Sequence, residues 1–170
     1  MLIRGVIWGQ PPKAVTLSYT PATGVWRTLA PGPAPRTLEG WDNAIWTGRE
    51  MLIAGPGGTG AYNPVTGIWR PVTPNMLALV SAVRVWTGRQ VLVWGGLTGT
   101  FQDQKIPPHG VAYDPAANRW SAMPMAPLRG RSNPAAVWTG RQMIVWGGTI
   151  PGPQTNTPAT DGAAYRPASR

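Results

Sequence analysis

The chain has no cysteine. A disulfide, a thiolate metal site and a cysteine nucleophile are therefore all excluded. Histidine is nearly absent as well, since His109 is the only one. One imidazole cannot build a His-rich metal centre, so no metal or other cofactor is expected. Acidic residues are scarce, 6 against 15 basic, and only Lys13 and Lys105 among the basic ones are lysine. No run approaches the roughly 18 apolar residues of a membrane span, and no membrane partner is expected. The opening MLIRGVIWGQPP breaks at Gly-Gln-Pro-Pro too early for a signal peptide. No helix is evident, and no phosphate-cradling glycine loop leads into one.

What is present is turn residues and apolar residues together. The 170 residues include 22 Gly and 20 Pro, about a quarter of the chain, yet 42% is hydrophobic and 10 residues are Trp. Disordered chains lack that apolar content. The combination reads as many short strands joined by tight turns, within one ordinary domain's length.

Two motifs recur. VWTGRQVLVWGG starts at Val85, VWTGRQMIVWGG at Val137, and a weaker copy, IWTGREMLIAGP, at Ile45. YTPATGVW starts at Tyr19, YNPVTGIW at Tyr62 and YDPAANRW at Tyr113, while YRP at Tyr165 begins a fourth copy. Trp26 and Trp69 are 43 residues apart, and Trp86 and Trp138 are 52 apart. A period in this range means a propeller or another repeat array.

Each unit reads as four strands. The first ends at the Trp before Thr-Gly-Arg. The second is an apolar run ending at or near glycine, expected to be buried on both faces because consecutive positions are apolar. The third carries Tyr, and the fourth starts at Trp and runs into prolines that suit an edge. Gly24 and Gly67 take the left-handed position of the turn between strands three and four, and Asn118 substitutes there. The opening MLIRGVIWG reads as a second strand, matched either as Met51–Gly55 or as Leu92–Gly95, and the sequence leaves both open. The expected layout is an incomplete unit over 1–34 lacking its first strand, complete units over 35–75 and 76–127, and a unit over 128–170 lacking its fourth strand. That makes fourteen strands with raw edges, which favour self-association.

The pattern resembles the kelch repeat: a hydrophobic strand ending in Gly-Gly, then Tyr and Trp at set distances. It is most similar to bacterial kelch-like repeats and to the central-domain repeats of galactose oxidase. The resemblance implies an all-β, kelch-type propeller segment of about three and a half four-stranded blades, in a partial or open ring. It also implies a periplasmic or extracellular setting. The copper site of galactose-oxidase-type enzymes needs two histidines and a cysteine-linked tyrosine, which this chain cannot supply alone. Related bacterial repeats read Arg-x-x-His-x-x-x-Trp on the inner strand. Here the Arg-like position is Glu39, Leu79 or Arg131, and the His-like position is Asp42, Ala82 or Pro134.

Function is expected on the face where connections vary. The segments LTGTFQDQKIPPHG and TIPGPQTNTPATDG are long, and length variation on a rigid scaffold is where binding is usually placed. They carry Asp103, His109 and Asp161. Glu39, Asp42, Arg84 and Arg131 are candidate polar residues of a central channel able to hold a ligand such as a sugar. No catalytic residue is nominated. Glu39 and Asp42, three apart on a strand, point to opposite faces. A Ser–His–Asp triad would need His109 oriented by Asp103 or Asp114, and nothing in the sequence does so. Arg49, Arg89 and Arg141 recur at equivalent places, which reads as a solvated rim, and no aromatic-interleaved basic cluster points to nucleic acid. The expectation is a non-catalytic recognition module for a protein or glycan. The alternative is a fragment of a carbohydrate-active propeller enzyme (lyase, mutarotase or oxidase type) with its catalytic residues elsewhere.

Overall fold

A computed structural model describes residues 1–7, 13–32, 44–55, 58–73, 80–98, 105–107, 109–152 and 155–168. The described residues form sixteen strands and no helix. The first sheet holds β1 (Leu2–Ile7), β2 (Lys13–Thr20) and β3 (Val25–Thr28) in that order. The second holds β4 (Ala44–Trp46), β5 (Met51–Gly55), β6 (Gly58–Asn63) and β7 (Ile68–Arg70). The third holds β8 (Val83–Trp86), β9 (Val91–Trp94), β10 (His109–Asp114) and β11 (Arg119–Met125). The last holds β12 (Ala135–Trp138), β13 (Met143–Trp146) and, after the ribbon β14 (Thr149–Ile150) and β15 (Thr157–Pro158), the strand β16 (Gly162–Tyr165). All described pairings are antiparallel between neighbours. The four main sheets thus carry three, four, four and three strands. The β14–β15 ribbon, lying within one of the long connections, is additional to the strands the repeats predict.

Turn chemistry repeats with the sequence. Thr87 N donates to Gln90 O at 3.0 Å, and Gln90 N donates to the Thr87 hydroxyl at 2.9 Å. Thr47 with Glu50 and Thr139 with Gln142 make the same pair of bonds. Gly88 sits at φ +91° as the first of two central residues, the position that a type II′ hairpin turn gives to glycine. In the next hairpin, Asp114 Oδ1 accepts from the amides of Ala116 and Ala117, and Asn118 takes φ 47°. Asn63 caps its own turn through the Val65 amide in the same way.

The Tyr and Trp of the first three units face each other across two strands. Ring centroids are 4.7 Å apart for Tyr19 and Trp26, 5.2 Å for Tyr62 and Trp69, and 4.8 Å for Tyr113 and Trp120. Each pair is tilted, the arrangement that aromatic quadrupoles favour. The same register settles how the chain's opening aligns. Met1 and Tyr19 exchange backbone bonds, as the paired Met51 and Tyr62 sit opposite each other. Met1–Gly5 is therefore the counterpart of Met51–Gly55.

Contacts divide the chain into two compact units, Met1–Asn75 and Met76–Arg170. In the first, Arg70 grips Glu50 through Nε and Nη2, the shortest contact being 2.7 Å. This ties the β4–β5 turn to the edge strand β7. Trp69 Nε1 donates to Ala30 O at 3.1 Å and joins the second sheet to the segment after β3.

In the second unit, β8 lies beside β12. Val85, Leu92, Trp94, Ala112 and Met123 on the third sheet pack with Met143 and Val145 on the last, flanked by Ala136, Trp138 and Tyr165. Burying each large aliphatic side chain here stabilises the fold by roughly 1.5–3 kcal/mol. The expectation that every second strand is buried on both faces holds for β9, where all four residues are buried. It fails for β13. Met143 and Val145 are buried, but Ile144 and Trp146 on the opposite face are exposed. Among the described residues of this unit, no sheet covers that second face.

Candidate functional site

Of the residues nominated from the sequence, Glu39, Asp42 and Asp103 lie outside the described residues. His109 opens β10 opposite Met125 and is half-buried. Arg84 lies on β8, with Nη1 donating to Ala82 O at 3.1 Å. Burial pushes its guanidinium down to about 10.

Arg131 and Asp161 come together. Arg131 is fully buried, and its Nη1 reaches Asp161 Oδ1 at 2.6 Å. The same guanidinium donates to the carbonyls of Arg129 and Gly147. Its carbon stands 6.0 Å from the centre of the Trp94 ring. Nη2 is buried and has no hydrogen-bond partner among the described residues. The hydrogen bond from Arg131 holds the Asp161 carboxyl below the usual range, with partial desolvation opposing it. This pair fastens the segment leading into β16 to the glycine-rich end of β13. Its carboxylate is exposed, but its arginine is committed to the interior.

A different set of residues forms a groove in the second unit. It lies between the third and last sheets, has a volume of about 360 Å³, and opens at the end of the sheets that carries the Thr-Gly-Arg turns. Arg89 and Arg141 come from two successive turns of that type, and Arg119 from the start of β11. Asp114, Trp138 and Tyr165 also line it. The volume falls within the usual range of small-molecule sites. All three arginines are exposed, and none has an ion-pair partner among the described residues. The single carboxylate, Asp114, spends Oδ1 on two backbone amides of its own turn.

The sequence reading placed Arg89 and Arg141 on a solvated rim. They are exposed as expected, but the stacking of two sheets turns them toward one groove. The signal for this was already in the repeat. Identical Thr-Gly-Arg turns on neighbouring sheets must bring their arginines to the same end. The sequence does not show how far apart the sheets stand, so it could not identify the groove. The long connections lie at the opposite end of the strands, so the groove is not built from them.

Among the described residues, no three of His, Asp and Glu cluster as a metal site would require. No protein-family model matches the chain, and no curated protein does. Among solved structures, one described as "Structure of YjhT" matches over 92% of this chain with a TM-score of 0.60 and 17% sequence identity. The chain spans 60% of the length of that structure's chain. At this identity the similarity shows a shared fold. It says nothing of what either chain binds.

Proposed function

We propose that the chain is part of a kelch-type β-propeller and acts as a non-catalytic recognition module for a carboxylate-bearing glycan. The observation that carries this is the groove where Arg89, Arg119 and Arg141 converge beside Trp138 and Tyr165. A guanidinium presents a planar fork that matches a carboxylate in two parallel hydrogen bonds. Three such groups with one carboxylate among them favour an anionic ligand. The aromatic residues add apolar surface against which a sugar ring can rest. The groove's described lining has no histidine and no pair of carboxylates, the groups that acid–base catalysis on sugars would use.

Isothermal titration calorimetry with oligogalacturonate, against a neutral maltooligosaccharide of equal length, tests this reading. The acidic oligosaccharide binds the wild-type chain, and Arg119→Ala or Arg141→Ala weakens it. Equal binding of the neutral sugar, or no binding of the acidic one, would overturn the proposal.

The alternative reading is a fragment of a carbohydrate-active propeller enzyme whose catalytic residues lie outside this chain; the chain spans 60% of the length of the structurally similar chain, which bears on length alone. Under that reading the longer protein turns over the acidic oligosaccharide that this segment only holds. Appearance of an unsaturated, oxidised or anomerically inverted product with the longer protein alone distinguishes the two.

A further inference from the structure

Two sheet faces are open, and each is the counterpart of a face that is closed elsewhere in the same chain. The first belongs to the last sheet. Ala135 pairs with Trp146, Val137 with Ile144, and Ile144 with Ala164, so these side chains share one face. Val137 is 55% exposed, Ile144 36% and Trp146 60%. By repeat register their counterparts on the third sheet are Val85, Leu92 and Trp94, exposed by only 7%, 0% and 6%. Those residues are covered by the next sheet, through Ala136, Trp138, Met143 and Val145.

The second open face belongs to the first sheet. It carries Met1, Ile3, Leu17, Tyr19 and Trp26 by register. Met1 is 64% exposed, Ile3 37% and Trp26 50%. The corresponding Met51 and Ile53 of the second sheet are 2% and 0% exposed, and Met143 and Val145 of the last sheet 0% and 5%. This is the covering type of face, the kind that closes over Leu92 and Trp94 in the second unit.

We infer that the two open faces bind each other between copies of this chain, the last sheet of one molecule against the first sheet of the next. Met1 and Ile3 of the first sheet stand where Met143 and Val145 stand on the last, so the contact repeats that part of the packing between the third and last sheets. The first sheet has no described counterpart of β12, so nothing in it stands for Ala136 and Trp138. Both open faces are apolar. Exposed apolar patches of this kind mark association surfaces. Because the two surfaces differ, the association is head-to-tail, and it forms a ring if the rotation closes. This inference is independent of any ligand in the arginine groove.

Sedimentation analysis of the whole chain tests it, with one variant for each face. Wild type is expected to show a concentration-dependent mass that reaches at least twice the chain's 18.2 kDa. Trp146→Asp disables one face and Ile3→Asp the other. Each alone should weaken association about tenfold or more, as loss of a buried anchor at an interface does. An equimolar mixture of the two variants should regain a one-to-one complex, because each supplies the face the other lacks. Circular dichroism matching wild type confirms that the variants fold, and Ile144→Lys replaces Trp146→Asp if that one does not. A wild type that stays monomeric to near-millimolar concentration overturns the inference. So does an Ile3→Asp variant that associates as well as wild type, since the contact would then join two identical faces.

Discussion

The Arg131 guanidinium meets Asp161 Oδ1 at 2.6 Å across 30 residues of sequence, with the arginine wholly buried and the carboxylate exposed. The asymmetry sets what each substitution costs. Arg131→Met removes a buried charge but also three kinds of carbonyl contact, to Arg129, Gly147 and Asp161, and should destabilise the second unit by about 2 kcal/mol or more. Chemical denaturation monitored by Trp fluorescence measures this.

Asp161 gives that pair a pH signature. Its carboxyl is held low in the folded chain by the hydrogen bond from Arg131. A group depressed by folding contributes stability above its unfolded value and loses that contribution as pH falls through its folded value. The denaturation midpoint of wild type should therefore fall more steeply in acid, below about pH 4, than that of Asp161→Asn. The difference between the two curves isolates this carboxyl from the other acidic groups. Parallel curves would mean that the pair contributes nothing to stability.

Two glycines of one repeat separate conformation from space. Gly88 has φ +91° with nothing within 4 Å of a built Cβ. Gly88→Ala should cost only the backbone term, about 1 kcal/mol. Gly96 has φ +83°, and a Cβ there would lie 2.6 Å from Val80 O and 2.8 Å from Ala82 Cβ. Gly96 N also donates to Arg131 O at 2.9 Å, so the backbone is pinned on both sides. Gly96→Ala should cost several times more than Gly88→Ala, and paired thermal melts compare them directly.

The Tyr–Trp pairs show how much of the fold the sequence made legible. The eight residues from Tyr113 to Trp120 are enough for a hairpin with a left-handed Asn118, because pairing and turn are both local. The same locality made the Thr-Gly-Arg turns and the strand order of each sheet readable. What was not legible depends on distances between sheets. Nothing in the residues around Arg131 says that it will be buried beside Trp94, or that Arg89, Arg119 and Arg141 will share a groove. Likewise, the apolar run at Met143–Trp146 reads the same as that at Val91–Trp94. Only the neighbouring sheet decides that Trp94 is buried and Trp146 exposed.

Within a Tyr–Trp pair, the hydroxyl can be tested apart from the ring. Tyr113 donates to Asn118 Oδ1 at 2.7 Å, and its side chain is buried. Tyr113→Phe removes that bond and leaves the ring contact with Trp120, for a cost of about 1 kcal/mol. Tyr113→Ala removes both and opens a cavity, and should cost roughly 3–5 kcal/mol. Urea denaturation of the two variants measures both steps. If the two variants lost equal stability, the ring would contribute little, and the aromatic pair would not organise the hairpin.

The arginine groove makes a prediction about salt as well as about residues. Arg89, Arg119 and Arg141 are exposed, so their attraction for an anion is screened over about 8–10 Å at moderate ionic strength. Affinity for oligogalacturonate should therefore fall as sodium chloride rises, while any neutral sugar binding stays flat. Arg→Lys and Arg→Ala at position 119 divide the effect further. Lysine keeps the charge but loses the two-pronged geometry. If Arg119→Lys binds nearly as well as wild type, the groove attracts by charge alone. If it binds as weakly as Arg119→Ala, the planar fork itself recognises the carboxylate. Titrations of the three proteins at two salt concentrations give that answer without requiring knowledge of the natural ligand.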